Sequence, residues 1–79
     1  MPVSAYILIQ SDVGKSGDVT HGVRAIGGVV SAEEVTGPYD VIVRAEADSL
    51  DALGKAVVSR IQLVDGITRT LTCPVIHTE

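Results

Sequence analysis

The sequence predicts an α+β fold, a four-stranded antiparallel sheet with two helices on one face, in the chain order β-α-β-β-α-β. Four short segments rich in Val, Ile and Thr alternate between apolar and polar residues, which is the pattern of half-buried strands. Two segments between them carry apolar residues at the three- and four-residue spacings of amphipathic helices. Because the chain has only 79 residues, we expect one domain over residues 1–79.

Serine, glycine and proline residues set the ends of these elements. Strands are expected at residues 3–10, 28–36, 40–47 and 67–76, and helices at residues 16–26 and 49–63. The apolar stripes of the helices are Val19, Val23 and Ile26, and Leu50, Leu53, Val57, Ile61 and Val64. Ser16 and Ser49 can each cap the helix that follows. Glu33 and Glu34 put a charge on both faces of the second strand, which suits an edge strand or a region near a subunit boundary. Pro74 cannot donate a ladder hydrogen bond, so we expect strand pairing to be interrupted near it.

One face of the predicted sheet is expected to lack a helical cover. Right-handed crossovers place both helices on the same face, which is the ferredoxin-like arrangement. The other face is expected to carry Tyr6, Leu8, Ile42, Arg44, Thr70, Thr72 and Ile76. This mixture is too apolar for an ordinary solvent surface, so it indicates a subunit interface. A face-to-face dimer is the simplest closed assembly and would form a dimeric α/β barrel.

The length and the cysteine content also favour self-association. A chain this short buries only about 60% of its unfolded surface, so its own core is marginal. Cys73 is the only cysteine, which excludes a disulfide within the monomer. Cys73, His21 and His77 lack the spacing of a metal site, and we expect no cofactor. A partner subunit is the remaining source of stability.

Composition argues against several functional classes. The chain has ten acidic and six basic residues, and its cations are scattered singly, which argues against binding to nucleic acid. Its apolar runs are far too short to span a membrane. The first four residues lack the basic and apolar stretches of a secretory signal. An unpaired thiol fits a reducing cytoplasm, which is where we expect the protein.

No combination of residues has the spacing of a catalytic site, and we do not expect an enzyme. The sequence Gly14-Lys15-Ser16 precedes a helix as in a phosphate-binding loop, but Ile9 stands where that motif needs a glycine. Arg44 and Arg69 lie in predicted strands, where a guanidinium could bind a ligand carboxylate. The favoured alternative is a cross-strand or intersubunit ion pair with Glu46, Glu33 or Glu34.

The best candidate for a binding site is the hairpin Gly37-x-Tyr39-Asp40. A hairpin tip of this kind offers free backbone amides and an aromatic ring, and such amides can hold a carboxylate. Thr70 and Thr72, two residues apart in strand four, add hydroxyls that can donate or accept. The alternative is a turn selected for its geometry alone, with two threonines that merely favour the strand.

Two long segments resemble a known family. VTGPYDVIVRAEADSLDAL and VSRIQLVDGITRTLTCPVI are similar to the effector-binding domain of the leucine-responsive/asparagine-regulator (Lrp/AsnC) transcription factors. The family pattern is a G-x-Y/F-D hairpin, a helix after a short acidic stretch, and a G-V/I-x-R-T-x-T strand. The matching positions are Gly37, Tyr39, Asp40, Gly66, Ile67, Arg69, Thr70 and Thr72. With the opening AYILIQ, the resemblance covers residues 3–76.

The resemblance implies an oligomeric sensor domain that dimerises sheet to sheet and often forms rings of dimers. It also implies an amino-acid effector near subunit boundaries, with Gly37, Tyr39, Asp40, Thr70 and Thr72 as its contacts. Full-length members carry an N-terminal helix-turn-helix, whereas this chain starts at the sheet, so we expect a stand-alone member. Such a member either binds its effector alone or modulates full-length Lrp/AsnC regulators by co-assembly.

Two other interpretations stay open. A small dimeric α+β-barrel enzyme of the monooxygenase or isomerase type would share this architecture. It would need polar catalytic residues at the helix-facing positions, where the sequence has Val, Ile, Ala and Leu. A ligand-free structural co-assembly subunit would have the same fold and the same interface.

Overall fold

The computed structural model describes residues 2–76 and has the predicted chain order β-α-β-β-α-β. The strands are β1 (Val3–Ser11), β2 (Val29–Glu34), β3 (Val41–Ala47) and β4 (Ile67–Pro74), and helix α1 covers Ser16–Arg24. Helix α2 covers residues 50–61 as one continuous helical stretch. The predicted elements are therefore confirmed, and their ends differ from the predicted ones by a residue or two.

The four strands form one antiparallel sheet in the order β2-β3-β1-β4. With both helices packed on the same face, this is the ferredoxin-like arrangement, so the predicted fold class is confirmed. β2 and β4 are the two edges of the sheet. The edge position predicted for β2 from Glu33 and Glu34 is therefore also confirmed.

A cluster of aliphatic side chains lies between the sheet and the helices. Its fully buried members are Ala5, Ile7, Ile9, Val19, Val23, Ala32, Val41, Val43, Ala45, Leu53, Val57 and Ile61. β4 contributes none of them, and neither do the two tyrosines. Aromatic side chains bury the largest apolar areas, so a core built without them is small. This agrees with the marginal core expected from the chain length.

Helix α2 begins as predicted but is not a regular α-helix. The Ser49 hydroxyl accepts a hydrogen bond from the Ala52 N–H at 3.0 Å, which confirms Ser49 as the N-cap. After the α-helical turn Leu50–Ala52 comes a π-helical segment, Leu53–Val58, and then the α-helical turn Ser59–Ile61. Leu50 is 58% exposed, so the buried stripe starts at Leu53 instead.

The predicted cap of helix α1 is wrong by one position. The helix begins at Ser16 itself, and its N-cap residue is Lys15, which provides no side-chain hydrogen bond. The Ser16 hydroxyl donates instead to Glu34 Oε2 at 2.9 Å. The Ser16 hydroxyl, which was predicted to cap the helix, therefore bonds to a carboxylate that is distant in sequence.

Pro74 does not interrupt strand pairing, contrary to the prediction. Pro74 lies opposite Ala5, and the next residue, Val75, donates its N–H to the Ser4 carbonyl at 2.9 Å. Hydrogen-bonded and non-hydrogen-bonded pairs alternate along an antiparallel ladder, so Ala5–Pro74 is a non-hydrogen-bonded pair. The missing N–H of Pro74 would have pointed away from the sheet, where its loss costs no ladder bond.

Candidate functional site

The sheet face opposite the helices carries an apolar patch. The pairing register places Leu8 between Ile42 on β3 and Leu71 on β4, and places Tyr6 next to them. Tyr6, Ile42 and Leu71 are 41%, 37% and 44% exposed, and Leu8 is half-buried. We call these four residues the open-face patch. An apolar cluster of this kind on a sheet face is typical of an interaction surface.

Two residues that were expected on this face lie on the opposite one. Thr70 pairs with Ile9 and Thr72 with Ile7, and paired residues project from the same side of a sheet. Because Ile7 and Ile9 are core residues, both threonines lie on the helix-facing side. Alternation within one strand shows which residues share a face, but only the register with β1 shows which face that is.

The other β4 positions change accordingly. Leu71 and Cys73 take the places on the open face that were assigned to the threonines. Both side chains are exposed, and the Cys73 thiol is free. Ile76 lies two residues beyond the end of β4 and is 85% exposed, so it is not part of the paired sheet.

The candidate hairpin is tied to the end of β1. The Asp40 carboxylate accepts hydrogen bonds from the Ser11 N–H at 2.8 Å and from the Ser11 hydroxyl at 3.3 Å. The Asp40 N–H donates to the Ile9 carbonyl at 2.8 Å, and the Gln10 side-chain amide donates to the Pro38 carbonyl at 2.8 Å. One Asp40 oxygen is therefore engaged in a structural contact, and the hairpin is fixed at its base.

The tip of the hairpin is open. Gly37 has a φ of 150°, and no heavy atom lies within 4 Å of the position that a Cβ would take there. Tyr39, which precedes Asp40 in the sequence, is half-buried. Next to the tip, Ser16, Glu34, Val35 and Thr36 line an open depression of about 660 Å³. The tip therefore borders a solvent-open depression that this subunit alone does not enclose.

The two halves of the candidate site lie at the same end of the sheet but do not touch across it. Ile9 pairs with Val41 on one side and with Thr70 on the other, so β1 separates the hairpin from Thr70. Two strand spacings correspond to about 10 Å. Thr70 lines a separate depression of about 230 Å³, together with Gln62, Ile67, Thr68 and Arg69.

Gln62 is a residue of this depression that sequence reasoning did not identify. It follows α2 directly, and its side-chain amide lies 3.5 Å from the Thr70 hydroxyl as a hydrogen-bond donor. A polar residue just past a helix end carries no signal in the sequence, because the helix orientation over β4 decides what it contacts. The fold therefore places the Gln62 amide beside the Thr70 hydroxyl, which the sequence had already identified as a candidate contact.

Arg44 contacts an acidic residue and an aromatic ring of its own subunit. Its guanidinium lies 3.7 Å from the Glu46 carboxylate and 5.8 Å from the centre of the Tyr6 ring. Glu46 is one of the predicted partners, but the ion pair lies within β3 and not across strands as predicted. The cation–π contact places the guanidinium against the Tyr6 ring of the open-face patch.

The remaining titratable candidates form no metal-binding cluster within residues 2–76. Among these residues, no three His, Cys, Asp or Glu side chains come close enough to hold a metal ion. His21 is exposed on α1, and His77 lies outside the described residues. In the same part of the chain, no helix is long and apolar enough to cross a membrane.

Comparison with protein families gives a match over nearly the whole chain. A family model described as the Lrp/AsnC ligand binding domain matches residues 4–79. The hypothetical protein PHS023 from Pyrococcus horikoshii is 33% identical and has a TM-score of 0.85, with 96% of this chain and 92% of that chain covered. No curated protein matches the chain.

Two longer regulators contain the same fold. AsnC from E. coli is 25% identical with a TM-score of 0.86, and the match covers 96% of this chain and 52% of AsnC. The transcriptional regulator NMB0573 from Neisseria meningitidis, solved as a complex with L-Met, is 19% identical with a TM-score of 0.79. The match covers 95% of this chain and 50% of that regulator.

Proposed function

The chain belongs to the Lrp/AsnC ligand-binding-domain family, and from this premise we propose that it is an oligomeric, non-catalytic sensor of an amino acid. Membership of this family makes it a ligand-binding domain of regulatory type. The open-face patch supports the further proposal that the sensor is an assembly, because the described residues of a subunit with a small core leave Tyr6, Ile42 and Leu71 exposed. Covering the patch with a second copy removes this apolar surface from water.

We propose that the effector binds where two subunits meet. Gly37, Tyr39 and Asp40 lie on one side of β1 and Thr70 and Thr72 on the other, so one subunit offers two partial sites. Each partial site borders an open depression instead of an enclosed cavity. A second subunit facing either depression would enclose the ligand, and small-molecule sites bury most of their ligand.

The proposed ligand class follows from the donors that surround these depressions. The hairpin backbone amides and the Thr70 and Thr72 hydroxyls suit a carboxylate, and the acidic Glu34 beside the hairpin suits an ammonium group. An α-amino acid carries both groups. The complex of NMB0573 with L-Met supports this class of ligand for a protein of the same fold.

Titration calorimetry of the assembled protein against the common amino acids tests the proposal. We expect saturable binding of at least one amino acid, with no more than one or two molecules per pair of subunits. Light scattering of the same samples should show a dimer or a larger even-numbered assembly. Absence of binding by every amino acid, with the assembly intact, would overturn the sensor role.

We also propose co-assembly with full-length family members. AsnC matches 96% of this chain with the same fold, so the sheets of the two proteins can present comparable faces. Native mass spectrometry of the chain mixed with a full-length member of the family should show mixed oligomers. Two unmixed populations after prolonged incubation would exclude this role and leave the amino-acid sensor untouched.

A further inference from the structure

The outer edge of β2 is closed by an arginine from helix α1. Arg24 donates two hydrogen bonds to the Ala32 carbonyl, from Nε at 3.0 Å and from Nη2 at 2.7 Å. Arg24 also lines a groove of about 440 Å³ that follows β2 together with Val29, Val30, Ser31, Ala32 and Glu33. A guanidinium is thus fixed over the backbone of an edge strand.

The ladder pattern shows that this carbonyl is one that an added strand would use. The Val35 N–H donates to the Asp40 carbonyl at 2.9 Å, which marks these residues as a hydrogen-bonded pair. Hydrogen-bonded pairs alternate with non-hydrogen-bonded ones, so the N–H and C=O groups of Ala32 and Glu34 point away from β3. Arg24 occupies the outward carbonyl of Ala32, and any strand that pairs there must displace it.

Charge reinforces the closure at the other end of β2. Glu33 and Glu34 are both exposed, and the Ser16 hydroxyl holds the Glu34 carboxylate beside the start of α1. Helix α1 therefore contacts the β2 edge at both of its ends, through Ser16 and through Arg24. An incoming strand would meet two carboxylates as well as the guanidinium, and charged side chains discourage edge pairing.

The opposite edge of the sheet has no such closure in the described part of the chain. The Val75–Ser4 hydrogen bond fixes the alternation along β4, so the backbone groups of Thr70 and Thr72 point outward. Between residues 2 and 76, no side chain forms a hydrogen bond with these outward groups. The two edges of one sheet are therefore unequal: β2 is closed and β4 is open.

We propose that Arg24 blocks strand addition at β2 and thereby prevents head-to-tail growth of the sheet. An open β4 edge could pair with the β2 edge of another molecule, and such a contact repeats without closing and gives filaments. With β2 closed, pairing through the sheet edges is restricted to β4 with β4, a two-fold contact that closes. This function of Arg24 is independent of effector binding and of the open-face patch.

The variant Arg24→Ala tests the proposal, with Arg60→Ala as the control because Arg60 is an exposed arginine on α2 and gives the same change in net charge. We expect Arg24→Ala to form larger assemblies at about a tenfold lower protein concentration than the parent chain, since hydrogen bonds from a charged donor are lost. Electron microscopy should show elongated particles for Arg24→Ala and none for Arg60→Ala. In those particles the Ala32 and Glu34 amides should become protected from hydrogen exchange.

A second measurement uses the parent protein and does not depend on how well the variant folds. In the parent assembly, we expect the outward amides of Ala32 and Glu34 to exchange faster than those of Ser31 and Glu33, which pair with β3. Protection of the Ala32 and Glu34 amides in the parent would overturn the proposal, because it would mean that the edge is already paired. The same conclusion would follow if folded Arg24→Ala kept the parent's assembly state, or if Arg60→Ala assembled equally.

Discussion

The Asp40 carboxylate holds the end of β1 by accepting hydrogen bonds from both the backbone N–H and the hydroxyl of Ser11. Alternation along β1 directs the Ser11 N–H toward β3, and this amide lies beyond Ile9–Val41, the last pair of the β1–β3 ladder. Asp40 supplies this amide with an acceptor. A residue chosen from the sequence as a ligand contact therefore has a structural function, whatever its second oxygen binds.

Replacing Asp40 should therefore lower stability before any ligand is added. We expect Asp40→Ala to reduce the free energy of unfolding by about 1–3 kcal/mol, because a part-buried amide loses a charged acceptor. Asp40→Asn should cost less, since its amide oxygen can still accept one hydrogen bond. Urea unfolding measures both, and Asp48→Ala, at an exposed position, should change stability by no more than about 0.5 kcal/mol. Equal effects at the two positions would contradict the structural function.

Two adjacent glycines between α1 and β2, Gly27 and Gly28, should respond differently to alanine. A Cβ on Gly28 would lie 2.6 Å from Val57 Cγ2 and 3.1 Å from the Glu46 carbonyl, and the backbone there has a φ of +97°. We expect Gly28→Ala to lower the free energy of unfolding by at least about 2 kcal/mol, because strain and steric overlap add. No heavy atom beyond the chain neighbours lies within 4 Å of the position that a Cβ would take at Gly27, so Gly27→Ala should be close to neutral. Thermal unfolding of the two variants tests this prediction, and similar melting temperatures would contradict it.

The sequence predicted the elements well because each has a local signal. Alternation located the four strands, and apolar spacing with Ser49 as a cap located α2. The errors occur where a contact distant in sequence decides. Ser16 bonds to Glu34, which is 18 residues away, and the side of the sheet on which Thr70 and Thr72 lie depends on their pairing with β1.

The candidate site was predictable only in part for the same reason. The hairpin glycine and tyrosine are recognisable as a turn, but the Asp40–Ser11 contact spans 29 residues and has no local signal. Gln62 and Glu34 enter the depressions through packing of the helices, so no spacing rule identifies them. The prediction for Pro74 failed for a related reason. The cost of its missing N–H depends on whether Pro74 falls at a hydrogen-bonded or a non-hydrogen-bonded pair, which the sequence of one strand does not show.

The open-face patch should control assembly, and two exposed leucines allow a matched test. Leu71 is 44% exposed within the patch, whereas Leu63 is 83% exposed and lies between α2 and β4. We expect Leu71→Asp to weaken dimerisation at least about thirtyfold, because a carboxylate would be desolvated in the interface. Leu63→Asp should leave the assembly unchanged. Sedimentation velocity over a range of concentrations measures both, and a dimeric Leu71→Asp variant would place the interface elsewhere.

Effector binding should depend on assembly if the ligand lies between subunits. An amino acid that binds only the assembled form stabilises it, so saturating ligand should raise the melting temperature and lower the dissociation constant of the subunits by the same linkage. The monomeric Leu71→Asp variant should then bind the amino acid at least about tenfold more weakly than Leu63→Asp, although Leu71 pairs with Leu8 and lies away from the hairpin. Calorimetry on the two variants at equal subunit concentration makes the comparison. Equal affinities would mean that each subunit holds a complete site, and that the two depressions act separately instead of meeting across a boundary.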